Sequence, residues 1–304
     1  MSLFFERVKK ALKNPNHAIK YFIKQRWIKQ NLSDEEYLKK RFKLEMGYEL
    51  DLENPKTYNE KLQWLKINDR NPLYTTLVDK HAVKDYVANI IGKEHVIETY
   101  GVWDKFDDID FNLLPNQFVL KCTHDSGGLV IVKDKNTFNK EKVKEKIEAS
   151  LKRDFYLTGR EWPYKNVPRK IIAEKFMVDE SGYGLKDYKF FCFDGKVKAL
   201  FIATDRMKDG EEVKFDFFDR DFNHLPFERG HKNSKSEIKK PEKFDEMIEI
   251  AERLSSSLKH VRVDLYNVNG KIYFGEMTFY PGGGFERFEP NEWDYTFGNW
   301  LNCL

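Results

Sequence analysis

The segment Val261 to Phe285, VRVDLYNVNGKIYFGEMTFYPGGGF, constrains the fold of this chain most strongly. It sets two acids, Asp264 and Glu276, inside runs that otherwise have the composition of buried strands. Val261 to Asn267 and Lys271 to Tyr280 are rich in β-branched and aromatic residues, and NVNG between them is turn chemistry, so the segment predicts a β-hairpin. Side chains alternate between the faces of a strand, so loop length decides where the acids point. A two-residue Asn269-Gly270 loop without a bulge places Glu276 opposite Val263 and sends the carboxylates to opposite faces. A three-residue loop, Val268 to Gly270, places Asp264 opposite Phe274 and gathers Asp264, Glu276, Arg262 and Thr278 on one face. The second arrangement is the one expected here.

Two neighbouring carboxylates repel, so such a face needs a cation, a shared proton or water. A salt bridge from Arg262 is one answer. Magnesium is the other, since it typically takes one or two carboxylates and completes its shell with substrate phosphates.

The rest of the chain bears on that choice. Its 304 residues allow two or three lobes, and 40% hydrophobic with 15% aromatic content excludes wholesale disorder. No window approaches the length of a membrane-spanning apolar run. Cys122, Cys192 and Cys303 form neither a metal-binding spacing nor a disulfide framework, so a cytoplasmic location is expected. Charge is unevenly placed. Residues 1–30 carry eight basic residues against Glu6, a balance of +7, within a total of +3. The remainder is therefore mildly acidic, and no nucleic-acid partner is expected. The basic segment, with Leu3, Phe4, Val8 and Leu12 and then Ile19, Phe22 and Ile23, predicts short amphipathic helices interrupted near Pro15. They either pack on their own domain or touch an anionic membrane surface or polymer peripherally.

Ser33-Asp34-Glu35-Glu36 is a capping box that opens a helix to about Met46, before Gly47. Helices are also expected over Asn59 to Asn68, His81 to Ile91 and Lys140 to Arg153. A further helix has Pro241 in its first turn and Phe244, Met247, Ile248, Ala251, Leu254 and Leu258 at helical spacing. Strands are expected at Phe118 to Lys121, Leu129 to Lys133, Ile171 to Val178, Tyr188 to Phe193, Lys196 to Ala203 and Lys214 to Asp219, with Asp194-Gly195 as a hairpin turn. The predicted class is α+β with largely antiparallel sheets.

P-loop, GxGxxG, HExxH and GxSxG patterns are absent. A nucleotide site must therefore be built differently. FVLKCTHDSGGLVIV offers Lys121 beside a loop whose Ser126, Gly127 and Gly128 amides can approach phosphate oxygens; an ordinary hairpin is the alternative. Glu174 in IIAEKFMV is either an adenine or ribose acceptor or an exposed edge-strand acid. Asp187 and Lys189 in DYKFFCF are either a surface ion pair or a phosphate contact.

In order, VDK (78–80), FVLKCTHDSGG, AEKFM, DYKFFCFDGK, RVDLY and FGEMTFYPGGG resemble the ATP-grasp superfamily. The wording is similar to the TupA-like ATP-grasp family of cell-surface polysaccharide and teichuronopeptide biosynthesis. LDLENPKTYNEKLQWLKI and REWPY extend the likeness over most of the chain. The resemblance implies two α+β subdomains clasping ATP after a helical region at 1–75: a leading segment at 76–115, a lid at 116–178 and a catalytic part at 179–304. It implies that Lys80 and Lys121 contact phosphates, and that Glu174 with Lys175, Phe176 and Met177 reads adenine. Glu180 is matched to the ribose, and Asp264 and Glu276 to magnesium. Thr278 stands where many ATP-grasp enzymes carry Asn. Arg262, Arg206 and Lys189 become the catalytic candidates, and Arg206, Arg262 and Arg287 candidates for an acceptor carboxylate. The implied activity is a carboxylate–amine ligase acting on a glycan carboxylate through an acyl phosphate. A sugar phosphotransferase, a glycosyltransferase and a non-catalytic glycan-assembly protein are the alternatives.

Overall fold

The computed structural model describes residues 15–179, 185–204 and 212–303. Helices come first: α1 (Pro15–Lys29), α2 (Asp34–Met46), α3 (Tyr58–Asn68), α4 (Leu73–Val78) and α5 (Val83–Ile91). The Ser33 capping box forms as expected, with Ser33 Oγ accepting from the Glu36 amide, and Gly47 closes α2 at φ 87°. A second capping box, Thr57 with Glu60, fixes the start of α3.

A four-stranded sheet comes next, built from β1 (Thr99–Trp103), β2 (Phe118–Cys122), β3 (Leu129–Val132) and β4 (Ile171–Lys175). Its order is β1-β4-β2-β3, every pair antiparallel. The leading segment therefore contributes a strand, β1, to the sheet that carries the glycine loop. Between β3 and β4 lie α6 (Lys140–Leu151) and α7 (Phe155–Gly159). Val143 and Ile147 of α6 close a small core with Phe118, Leu120, Ile171 and Ala173.

The larger sheet contains β5 (Asp187–Phe193), β6 (Lys196–Thr204) and β7 (Lys214–Asp219), then β9 (His260–Val268) and β10 (Lys271–Thr278) after the short β8 (Glu228–Arg229) and α8 (Phe244–Ser255). Its order is β10-β9-β5-β6-β7. Strand β5 is buried along its whole length, which suits DYKFFCF to a central position. Helix α8 lays Phe244, Met247, Ile248, Ala251 and Leu254 on this sheet; each large apolar side chain so buried is worth about 1.5–3 kcal/mol. It begins at Phe244 behind Lys243, three residues beyond the predicted Pro241. The chain ends with β11 (Phe288–Glu289), paired to β8, and α9 (Glu292–Trp300), which packs on α3.

The opening hairpin departs from expectation in an informative way. Val268 pairs with Lys271, so the loop is the two-residue Asn269-Gly270, both in the left-handed region at φ 53° and 77°. The predicted three-residue loop is not formed. A β-bulge restores the parity instead: Leu265 pairs with Phe274, but Asp264 pairs with Glu276, leaving Gly275 as the extra residue. Glu276 thus faces Asp264 directly, and Phe274 joins the apolar face with Leu265 and Met277.

Candidate active site

A cleft lies between the two sheets. The four-stranded sheet contributes Lys121, the loop Asp125 to Gly128, and Glu174; the larger sheet contributes Asp187, Lys189, Tyr266 and Glu276. Helix α5 and the turn before it add Lys84 and Lys80.

The glycine loop is held from below. Asp125 accepts from Ser150 Oγ of α6, Arg153 donates to the Ser126 carbonyl at 2.9 Å, and Lys80 Nζ donates to the Asp125 carbonyl. Gly127 is required by its φ of 99°. At Gly128 a Cβ would stand 2.1 Å from Ser150 Oγ, so space decides there.

Glu174 is buried on an interior strand, so the exposed edge-strand alternative fails. Its carboxylate is held between Lys84 and Lys121, each at 2.5 Å. Burial alone would raise its pKa, but the two ammoniums outweigh that and hold it below the usual range. Its side chain is thereby committed to lysines. The next three residues, Lys175, Phe176 and Met177, line an adjoining apolar slot with Val119, Ile131 and Leu185. Slot and cleft share Ile97, Lys121, Leu129, Glu174, Asp187 and Tyr266, so they form one continuous groove.

At the other end lie the paired acids. Asp264 is fully buried and takes Arg262 Nε at 2.6 Å and Nη2 at 2.8 Å, with Lys189 Nζ on the same carboxylate. Burial would raise its pKa, yet Arg262 and Lys189 hold it below the ordinary range. Arg262 Nη2 also reaches Glu276 at 3.4 Å and Thr278 Oγ1 at 3.0 Å. Lys189 lies 3.4 Å from Asp187, and burial lowers its pKa. The surface ion-pair alternative for Asp187 and Lys189 is therefore overturned, since both are buried in the cleft. Glu276 differs from Asp264: its side chain is 47% exposed against 1%.

This donor set fits magnesium arriving with phosphates. Glu276 offers a hard carboxylate at the cleft surface, and Asp264 stands directly behind it. Asp264 itself is paired with Arg262 and Lys189, so Glu276 is the carboxylate of the two that faces the cleft.

Other candidates fall elsewhere. Arg287 donates to the Glu45 carbonyl at 3.1 and 3.3 Å at the end of α2, outside the cleft, and its assignment to an acceptor carboxylate is withdrawn. Glu180 and Arg206 lie outside the described residues. The cleft also holds three residues that sequence reasoning does not single out: Lys84, Asp125 and Tyr266. Lys84 comes four residues after Lys80 in DKHAVKD, and Tyr266 shares the parity of Asp264; both spacings are readable.

The profile of the TupA-like ATPgrasp family matches residues 60–302. The chain belongs to the TupA-like ATP-grasp family. Its fold is accordingly the ATP-grasp fold, α+β behind a helical amino-terminal region. Solved structures similar to it include D-alanine--D-alanine ligase from Bacillus anthracis complexed with ATP (14% identity, TM-score 0.39, 67% of this chain and 54% of that one). The D-alanine–D-alanine ligase of Helicobacter pylori gives 13% identity and TM-score 0.42 over 82% of this chain and 70% of that one. The ATP-grasp ligase PsnB, complexed with minimal precursor, Mg and ADP, gives 11% identity and TM-score 0.39 over 72% and 57%. This TupA-like chain thus spans little more than half the length of the first of these. No curated protein matches the sequence.

Proposed function

We propose that this TupA-like protein is an ATP- and magnesium-dependent carboxylate–amine ligase that releases ADP. Its carboxylate substrate is a uronic-acid-type sugar of a cell-surface polysaccharide or its precursor, and its amine an amino acid or similar compound. The observation that carries the reading is the convergence of Lys80, Lys84 and Lys121 from one side of the cleft with Glu276 from the other, Asp264 being paired with it on the neighbouring strand. Family membership supports the glycan substrate.

Phosphoryl transfer asks a protein chiefly to position reactants and neutralise charge. In this reading Lys80, Lys121 and the Ser126 to Gly128 amides hold the triphosphate, Lys84, whose donors go to Glu174, the Ile97 carbonyl and Thr99 Oγ1, holds Glu174 in place, and Lys175 to Met177 line the base. Magnesium, held by Glu276 and Asp264, would supply charge neutralisation at the phosphates. Arg262 Nη1 makes no hydrogen bond among the described residues, whereas Nε and Nη2 are spent on Asp264, Glu276 and Thr278. Nη1 is therefore the group assigned to the substrate carboxylate. An oxygen of that carboxylate attacks the γ-phosphorus, the bond to the bridging oxygen breaks and ADP leaves; the amine then attacks the acyl carbon and expels phosphate.

In the same reading the chain divides into a helical region at 1–75, a leading segment at 76–115, a lid at 116–178 and a catalytic part at 179–304. We place the protein in the cytoplasm with α1 toward the membrane. Lys20 and Lys24 are spent on Glu45, but Ile19, Phe22, Arg26 and Lys29 stay exposed. No helix among the described residues is long and apolar enough to cross a membrane.

The test is incubation with ATP, magnesium, an amino-acid panel and uronic acids, read by nucleotide analysis and product mass. The reading expects ADP and a conjugate one water lighter than its two components. ADP with a phosphosugar formed without amine would instead indicate a phosphotransferase.

A further inference from the structure

We propose that Glu161 binds the ammonium group of the amine co-substrate and accepts its proton, at an acceptor end of the cleft built from Glu161, Tyr164 and the Gly282–Gly284 loop. The inference rests on the ligase reading above.

Glu161 comes just after α7 and lies deep but is not sealed from solvent. Its carboxylate lies against Gly159, where a Cβ would come within 2.5 Å of Oε1, and faces Gly283, where a Cβ would stand 3.6 Å away. Gly282, Gly283 and Gly284 all have positive φ, 63°, 63° and 67°, so the loop presents bare backbone beside this acid.

A deep carboxylate ordinarily has a partner. Glu161 has no hydrogen bond or ion pair to its carboxylate among the described residues. The nearest cation explains why. Lys66, itself buried, spends its three donors on Gln63 Oε1 at 2.9 Å, the Gly159 carbonyl at 2.9 Å and the Gly283 carbonyl at 2.7 Å. Arg41 donates to the Thr158 carbonyl and stacks on Phe285. Lys66 and Arg41 thus contribute field but no direct bond to Glu161.

The Gly282–Gly284 loop that faces this acid begins four residues beyond Thr278, whose Oγ1 accepts from Arg262 Nη2 at 3.0 Å, so Glu161 stands beyond the end of the strand that carries Glu276. Burial raises the Glu161 carboxyl above its usual range against the opposing pull of Lys66 and Arg41, the direction that favours taking up a proton. A single unpaired carboxylate ringed by backbone and aromatic groups fits a primary ammonium better than a metal, which would need further anionic ligands.

The step balances simply. An ammonium N–H proton passes to Glu161, and the freed lone pair forms the C–N bond to the acyl carbon. The C–O bond to phosphate breaks, phosphate departs, and the second amine proton goes to solvent.

The test is thermal stability of the full chain with magnesium and a non-hydrolysable ATP analogue, titrated with glycinamide or with N-acetylglycinamide, which lacks the charge. Glycinamide should raise the melting temperature of the wild type and N-acetylglycinamide should not. Glu161→Gln should lose the glycinamide shift while keeping the analogue shift, which also shows that it folds; Glu161→Asp should retain part of it. An unchanged glycinamide response in Glu161→Gln, or none in the wild type, overturns the proposal. Absence of any analogue shift in the wild type would instead sink the ligase reading beneath it.

Discussion

Glu276 stands directly across from Asp264 because Gly275 is one residue too many for its strand. Without that bulge the tight Asn269-Gly270 turn would send Glu276 to the apolar face beside Val263. A Cβ at Gly275 would meet the Asp264 carbonyl at 3.0 Å and the Tyr266 ring at 3.1 Å. Gly275→Val is therefore expected to cost about 1–3 kcal/mol by overpacking and to weaken magnesium-dependent nucleotide binding with it. Urea denaturation measures the first effect and calorimetry the second. Unchanged stability would mean that the bulge has no steric requirement for glycine.

The Lys84–Glu174–Lys121 triad gives a second prediction. Glu174→Gln leaves two partly buried ammoniums without their counter-charge, although Lys84 keeps its bonds to the Ile97 carbonyl and Thr99 Oγ1, a loss of about 3 kcal/mol. Arriving phosphates supply the missing charge, so an ATP analogue should raise the melting temperature of this variant more than that of the wild type. Lys121→Met should weaken analogue binding by about 10- to 100-fold, as expected for one charge-assisted hydrogen bond. Because the folded Glu174 pKa is depressed, its contribution is present above the unfolded carboxyl value and lost as pH falls through the folded one.

Acid sensitivity should have a further source at His260. Its Nδ1 faces the Cys192 carbonyl at 2.8 Å, so Nδ1–H donates there and Nε2 accepts from the Tyr58 hydroxyl at 2.8 Å. Burial pushes its pKa down to about 3. A depressed histidine stabilises fully above its unfolded value, about 6.5, and that stability is lost as pH falls below it, by about 2 kcal/mol at pH 5. Urea denaturation between pH 7 and pH 5 should show this slope in the wild type and a flatter one in His260→Gln.

Arg262 separates binding from chemistry. Arg262→Lys keeps a cation beside Asp264 but loses the two-pronged contact and the spare Nη1. Product formation should fall by at least about 10-fold, the weight of one charge-assisted contact, with nucleotide affinity changed far less. An equal fall in both would move Arg262 from the substrate to the nucleotide.

Much of this architecture is legible in the sequence, and the gaps have physical causes. Ser33 with Glu36, Asp194-Gly195 and the apolar spacing of α8 are local signals, and local physics realises them. The bulge at Gly275 is not readable, because turn composition alone leaves the position of an extra strand residue open. The spacing of Lys84 from Lys80 is readable, but its pairing is not, because Glu174 lies 90 residues on, in a strand of the four-stranded sheet. Glu161 acquires its setting only when Lys66 ties the Gly159 carbonyl to the Gly283 carbonyl. Motif order places Lys121, Glu174, Lys189, Asp264 and Glu276 around one cleft, but it does not reveal that Glu174 and Asp264 are each clasped by two cations.

If the Asp264–Glu276 face receives a metal together with ATP, calorimetric titration of an ATP analogue with and without magnesium, on the wild type and on Glu276→Gln, should show it. Binding should depend on magnesium and weaken by about 10-fold or more in the variant, as for loss of one charged ligand. Equal affinity with and without magnesium, or a Glu276→Gln protein that binds like the wild type, would contradict it.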